Sequence, residues 1–143
     1  MLDQFTFHYP IHIRWADLDA LNHVNNAVYL SYFEQARIDY FREAVNWDWQ
    51  VVGMILAKST IEYFKPLLIR DKAEVWLRVS RLGSKSFEME NIVVRNSEKG
   101  PEIITRCTSV LVTYDYRNEK SVLVPEHVRE AVIAREKPGS VLF

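Results

Sequence analysis

Asp17, Asp19, His23, Asn25 and Asn26 fall in one short polar run, Ala16 to Asn26. Side chains of this kind bond their own backbone and favour turns over helix interiors, so the run reads as a loop. From Ala27 onward Tyr29, Leu30, Phe33, Ala36, Tyr40 and Phe41 recur at helical spacing, with Ser31, Gln35, Asp39 and Arg42 on the opposite side. A polar loop therefore feeds a long amphipathic helix running to about Val45, with Asn25 or Asn26 as the expected N-cap. The N-terminus of a helix offers unpaired N–H donors and a partial positive charge. With carboxylates and an imidazole beside it, this is a place to hold a developing oxyanion while an acid, base or nucleophile acts.

The elements that must carry this loop are strands. Phe5, Phe7, Tyr9, Ile11, Ile13 and Trp15 alternate with Thr6, His8, His12 and Arg14, a half-buried strand in which Pro10 forces an edge position or a break. After an irregular helix exit at Asn46–Trp49, a strand is expected from about Ile55 to Phe64. Ala73, Val75, Leu77 and Val79 alternate with polar residues in a third strand, where Trp76 breaks the polar face and suggests that a second subunit covers it. A turn at Leu82–Lys85 leads to a strand over Phe87–Arg95, and a loop at Asn96–Pro101 leads to a long one over Ile103–Tyr116. Pro125 opens a short helix carrying Val128, Ala131 and Val132, and the end around Gly139 should fray. A strand, a helix and then four strands without another crossover make an α+β fold with an antiparallel sheet of about five strands.

The totals fit one soluble domain: 143 residues, 48% hydrophobic and 26% charged. A net charge of −1 provides no field for nucleic acid. The first ten residues contain an acid and neither a cationic leader nor an apolar run, so no signal peptide or membrane span is expected and the cytoplasm is the expected compartment. The single cysteine, Cys107, agrees with a reducing compartment and is expected to be a buried strand thiol. His8 and His12 on one strand lie ~13 Å apart, too far to share an ion. His23, His127 and Cys107 have no clustered spacing, and no metal is expected. The four glycines are scattered, with no nucleophile elbow, P-loop or dinucleotide pattern.

Asp17-Leu18-Asp19, His23-Val24-Asn25-Asn26, Tyr29-Leu30 and Glu34-Gln35-Ala36-Arg37 together resemble the signature of hotdog-fold acyl-CoA thioesterases of the 4-hydroxybenzoyl-CoA thioesterase type. The segments Tyr63-Phe64-Lys65-Pro66-Leu67 and Arg81-Leu82-Gly83-Ser84-Lys85-Ser86-Phe87 fit the same layout. The resemblance implies a hotdog, a sheet wrapped round one long central helix, assembled at least as a dimer, with homodimer and homotetramer both open. It implies an acyl-CoA substrate, coenzyme A being part of that substrate and no separate cofactor being needed.

It also places Asp19 at the family's catalytic carboxylate, either attacking the thioester carbonyl to form a mixed anhydride or deprotonating a water. The bland alternative for Asp17 and Asp19 is turn and cap chemistry, and Asp17 is taken as structural. His23 either orients Asp19 or carries a proton, or else fixes the loop through a backbone bond. Asn25 and Asn26 cap the helix and so shape the oxyanion site. Tyr29 lines the acyl pocket or is a plain core aromatic. Arg81, Ser84 and Lys85 correspond to a region that contacts coenzyme A in these enzymes; a solvated hairpin tip is the competing explanation. A hydratase or dehydratase of acyl thioesters and a non-catalytic acyl-CoA binder are the rival functions.

Overall fold

Period-2 alternation builds most of the molecule, and a computed structural model describing residues 2–143 shows where each alternating face goes. The order is β1 (Phe7–Pro10), α1 (Val28–Asp39), β2 (Val52–Tyr63), β3 (Ala73–Leu82), β4 (Ser86–Ser97), β5 (Gly100–Asp115), the two-residue β6 (Lys120–Ser121) and α2 (Glu126–Arg135). The strands form one antiparallel sheet in the order β1-β3-β4-β5-β2, with β6 paired to β5. Ala73, Val75, Leu77 and Val79 of β3 and Phe87, Met89 and Val93 of β4 bury their side chains on one face. That face curls round Tyr29, Phe33, Ala36, Tyr40 and Phe41. Each large apolar side chain so buried is worth up to about 2–3 kcal/mol.

The helix departs from the expected single run. α1 has 12 residues, and Tyr40–Ala44 continues it as a π-helical turn. The wider turn lets Tyr40 and Phe41, adjacent in sequence, both reach the interior: Phe41 packs edge-on to Trp47 and Phe87, at 5.2 and 5.3 Å. Tyr40 instead donates its hydroxyl to Glu136 Oε1 at 2.5 Å, and the same oxygen accepts the Val79 N–H at 2.9 Å. Glu136, only 3% exposed, thus ties the end of α2 to α1 and β3. Leu30, expected in the apolar stripe, is 40% exposed because it lies beside rather than on the buried line through Tyr29 and Phe33.

Other expectations need correction. The first strand stops at Pro10, whose missing N–H ends the ladder at a sheet edge, and Trp15–Asp17 is a 3₁₀ turn instead of strand. His12 therefore lies outside the strand, while His8 stacks on Trp76 at 4.6 Å. Trp76 packs with Phe5, Ile92 and Ile103 on the convex face, so the chain's own N-terminal segment covers the surface assigned to a partner. The C-terminus is tied down instead of frayed: Leu142 N–H donates to Ser80 O at 2.9 Å and Leu82 N–H to Leu142 O at 2.8 Å. β2 begins at Val52, earlier than expected, because its first residues pair with the far end of β5.

Candidate active site

The polar loop folds as a miniature hairpin. Leu18 and Val24 form an isolated antiparallel bridge, the Asp19 N–H donates to His23 O at 2.8 Å, and the Asn25 N–H donates to Asp17 O at 2.8 Å. The tip turns at Asn22, whose φ of 62° is one that asparagine tolerates better than most residues. Val24 N–H donates to Leu67 O at 2.8 Å, fastening the hairpin to the segment after β2. Asp17 is the buried anchor, 1% exposed. Its carboxylate accepts the Arg14 N–H at 2.9 Å, the Tyr32 hydroxyl at 2.8 Å and the Arg14 guanidinium at 3.0 Å. Burial alone would raise its pKa, yet these donors outweigh it and hold the carboxyl below its ordinary range. Asp17 thus ties Arg14 and Tyr32 to the base of the hairpin.

Asp19 divides its two oxygens. Oδ1 accepts the N–H groups of Leu21 at 2.8 Å and His23 at 3.2 Å, which fixes the side chain against the hairpin. Oδ2 has no partner among the described residues. Asp19 lines an open depression of about 270 Å³ together with His23, Asn26, Tyr29, Tyr63 and Lys65. His23 meets Asp19 through its backbone, while its side chain lines the same depression.

The helix cap is one place later than expected. Ala27 is the N-cap and has no side-chain oxygen to offer. Asn25 substitutes from two residues upstream: its Oδ1 accepts the Ala27 N–H and its carbonyl the Val28 N–H, both at 2.9 Å. Asn26 caps nothing; its carbonyl accepts the Tyr63 hydroxyl at 2.7 Å, and its N–H makes no hydrogen bond among the described residues. Tyr29 is buried edge-on to Tyr63, ring centres 5.3 Å apart, and burial raises both phenols above their ordinary pKa. It serves at once as core aromatic and as a wall of the depression.

Tyr63 and Lys65 line the same depression, although the sequence suggested them only as part of a family-like segment. Lys65 pairs with Glu102, and Arg95 pairs with both Glu102 at 2.5 Å and Asp71 at 3.1 Å. The hydrogen bonds from Lys65 and Arg95 bring Glu102 down to about 2. This network stiffens the far rim. Arg81, Ser84 and Lys85 lie elsewhere. Tyr63 faces Thr105 on β5, whereas the Lys85 carbonyl accepts from Thr113. Thr105 and Thr113 are roughly 26 Å apart along the strand. Ser84 and Gly83 are occupied in holding the C-terminal region, their carbonyls accepting from Val124 at 2.9 Å and Arg129 at 2.7 Å. Within one chain these residues do not meet Asp19.

Among the described residues no group of His, Cys, Asp or Glu is arranged to hold a metal, and no helix is long and apolar enough to cross a membrane. Cys107 is buried, and burial raises its thiol.

The chain is similar to known thioesterases in sequence and in fold. The chain is 24% identical over 123 residues to the long-chain acyl-CoA thioesterase FadM of Escherichia coli, covering 84% of this chain and 92% of FadM. It is 26% identical over 136 residues to the acyl-CoA thioesterase YbgC of Haemophilus influenzae, covering 92% and 96%. A thioesterase of Thermus thermophilus solved with coenzyme A and zinc superposes with a TM-score of 0.83 at 34% identity, covering 95% of this chain and 98% of that one. The antiparallel sheet curled on a helix fits the hotdog fold. Residues 13–132 match the thioesterase-like superfamily, a span that contains the Asp19 hairpin, α1 and all of the long strands, and the chain belongs to that superfamily.

Proposed function

We propose that the protein is an acyl-CoA thioesterase in which Asp19 carries the chemistry. The observation that supports this reading most is the division of labour at Asp19: one carboxylate oxygen is spent on two loop N–H groups and the other is left for a reactant. A thioester carbonyl seated in the depression meets Asp19 on one side and the Asn26 N–H at the start of α1 on the other. The carboxylate attacks the carbonyl carbon directly, or removes a proton from a water that attacks it. Either way a C–O bond forms, negative charge gathers on the carbonyl oxygen, and the N–H and the helix N-terminus stabilise it. The C–S bond then breaks and the thiolate leaves, taking up a proton as coenzyme A; where Asp19 attacked directly, a water then hydrolyses the mixed anhydride, which releases the free acid and restores the carboxylate. His23, at the rim, is a carrier for that proton. No metal or separate cofactor enters this scheme.

A second copy completes the reading. β2 is a sheet edge of 12 residues whose side chains are largely exposed. An unpaired edge of this length is a template for another strand. A copy pairing antiparallel along it brings its own Arg81–Lys85 turn toward the end where Asp19 lies, which gives Arg81, Ser84 and Lys85 a route to the coenzyme A phosphates. The deciding experiment is thiol release from short, long and aryl acyl-CoAs by the purified protein, with its mass in solution measured in parallel. Turnover by a dimer or larger assembly is expected. Enoyl hydration without thiol release would move the reading to a hydratase, and ligand stabilisation without any turnover to a binding protein.

A further inference from the structure

α1 packs over β1 and β3 and leaves the helix-facing side of β2 only partly covered. By register with the buried face of β5, the residues of β2 on this side are Tyr63, Ile61, Ser59, Leu56 and Met54. They form a lane that starts at the Asp19 depression, where Tyr63 lies, and ends at a cavity of about 320 Å³ walled by Ile38, Trp49, Met54, Leu56, Glu34 and Arg37. Along the helix axis Arg37 is ~16 Å from Asn26.

Arg37 is unusual among the cations of this chain. Its guanidinium makes no hydrogen bond or ion pair among the described residues, although the side chain is only partly exposed. Burial draws its pKa down, and only Glu34, which lines the same cavity, and Cys107 oppose this. Beneath the lane, the buried Ser109 hydroxyl lies 3.4 Å from the Ser59 hydroxyl and 3.4 Å from the Cys107 sulfur. A guanidinium has five donors and no acceptor, and the hydroxyls can rotate to donate. Set in a cavity that also has the apolar walls Ile38, Trp49, Met54 and Leu56, this group is the complement of a carboxylate, which takes two parallel N–H bonds from arginine.

We infer that the Arg37 cavity receives the far end of the acyl group, and that Arg37 selects medium-length acyl chains ending in a carboxylate. This specificity rests on the thioesterase reading above. The apolar part of such a chain lies along Ile61 and Leu56, and its terminal carboxylate meets the guanidinium. A methyl end in the same place leaves the guanidinium without a partner.

The test compares kcat/KM for two medium-chain acyl-CoAs of equal length, one ending in a methyl group and one in a carboxylate, on wild type, Arg37→Met and Arg37→Lys. Wild type should favour the carboxylate end by about tenfold or more. Arg37→Met should abolish that preference while changing the methyl-ended ester less than about threefold, and Arg37→Lys should keep part of it. A methyl preference in wild type, or equal losses on both esters in Arg37→Met, overturns the inference. A second readout is independent of turnover: thermal stabilisation of the wild-type protein by a free dicarboxylic acid against the monocarboxylic acid of equal length. Stronger stabilisation by the diacid supports the assignment even if Arg37→Met does not fold; equal stabilisation overturns it. Failure of every ester to release thiol, with the diacid still preferred, would remove the thioesterase reading and leave the carboxylate site standing.

Discussion

Replacing Asp19 by Asn and by Ala separates the two functions of one side chain. Asn keeps a carbonyl oxygen where Oδ1 accepts from Leu21 and His23, so the hairpin is retained. What changes is the other atom: a carboxylate oxygen becomes an NH₂ that neither attacks a carbonyl nor accepts a proton. Ala removes both. Two loop hydrogen bonds at about 0.5–1.5 kcal/mol each put its stability cost at about 1–3 kcal/mol, reduced by the partial exposure of the loop. The expected pattern is therefore a loss in kcat of about 10² or more for both variants, with a measurable fall in Tm for Ala alone. A chromogenic thiol reagent reads the first quantity and thermal unfolding the second. Asn retaining more than about a tenth of wild-type turnover would refute the role of Asp19, and Asn unfolding as readily as Ala would refute the division between its oxygens.

Tyr63→Phe removes the hydroxyl that holds the Asn26 carbonyl; loss of one such bond should lower kcat/KM by about 2- to 10-fold with little change in Tm, and unchanged kinetics would show that the Asn26 turn does not need it. Tyr40→Phe leaves Glu136 Oε1 with only the Val79 N–H; chemical denaturation should show a loss of about 1–3 kcal/mol, and a neutral result would mean that the buried carboxyl finds another donor. Asp17→Asn turns an NH₂ toward donors that served a carboxylate and should cost about 1–3 kcal/mol near neutral pH. The Asp17 pKa is lowered on folding from 3.8, so its contribution is present above pH 3.8 and lost as pH falls through the folded value. The stability gap between wild type and Asp17→Asn should accordingly be flat above that range and narrow below it; a gap that widens in acid would contradict the sign.

Much of the sheet was legible because alternation is a local property. In β3, buried and half-buried residues alternate from Ala73 to Ser80 as the pattern demands. The pattern failed where both faces are covered. Ile92, Val93 and Val94 are all buried because Phe5 and Trp76 roof the convex side, a contact between residues distant in sequence. The site was half legible. The polar loop and the helix start were marked by residue type and order, and Asp19 was singled out within that loop by the family resemblance. The Asn26–Tyr63 bond and the Lys65–Glu102–Arg95 network join segments separated along the chain, and nothing near either partner announces the other.

The order of the main strands and helices, the polar loop before α1 and the turn at Gly83 could be read locally, because each depends on neighbours within a few residues. Tertiary structure decided the rest. It used Asn25 and not Asn26 to satisfy the first helical turn, leaving the Asn26 N–H without a hydrogen bond among the described residues. It widened the end of α1 into a π turn so that Tyr40 could reach Glu136. It carried Arg81, Ser84 and Lys85 to the far end of the sheet from Asp19, and it left β2 as an open edge. Those outcomes follow from which strands pair and in what register, a choice made by the packing of the whole core.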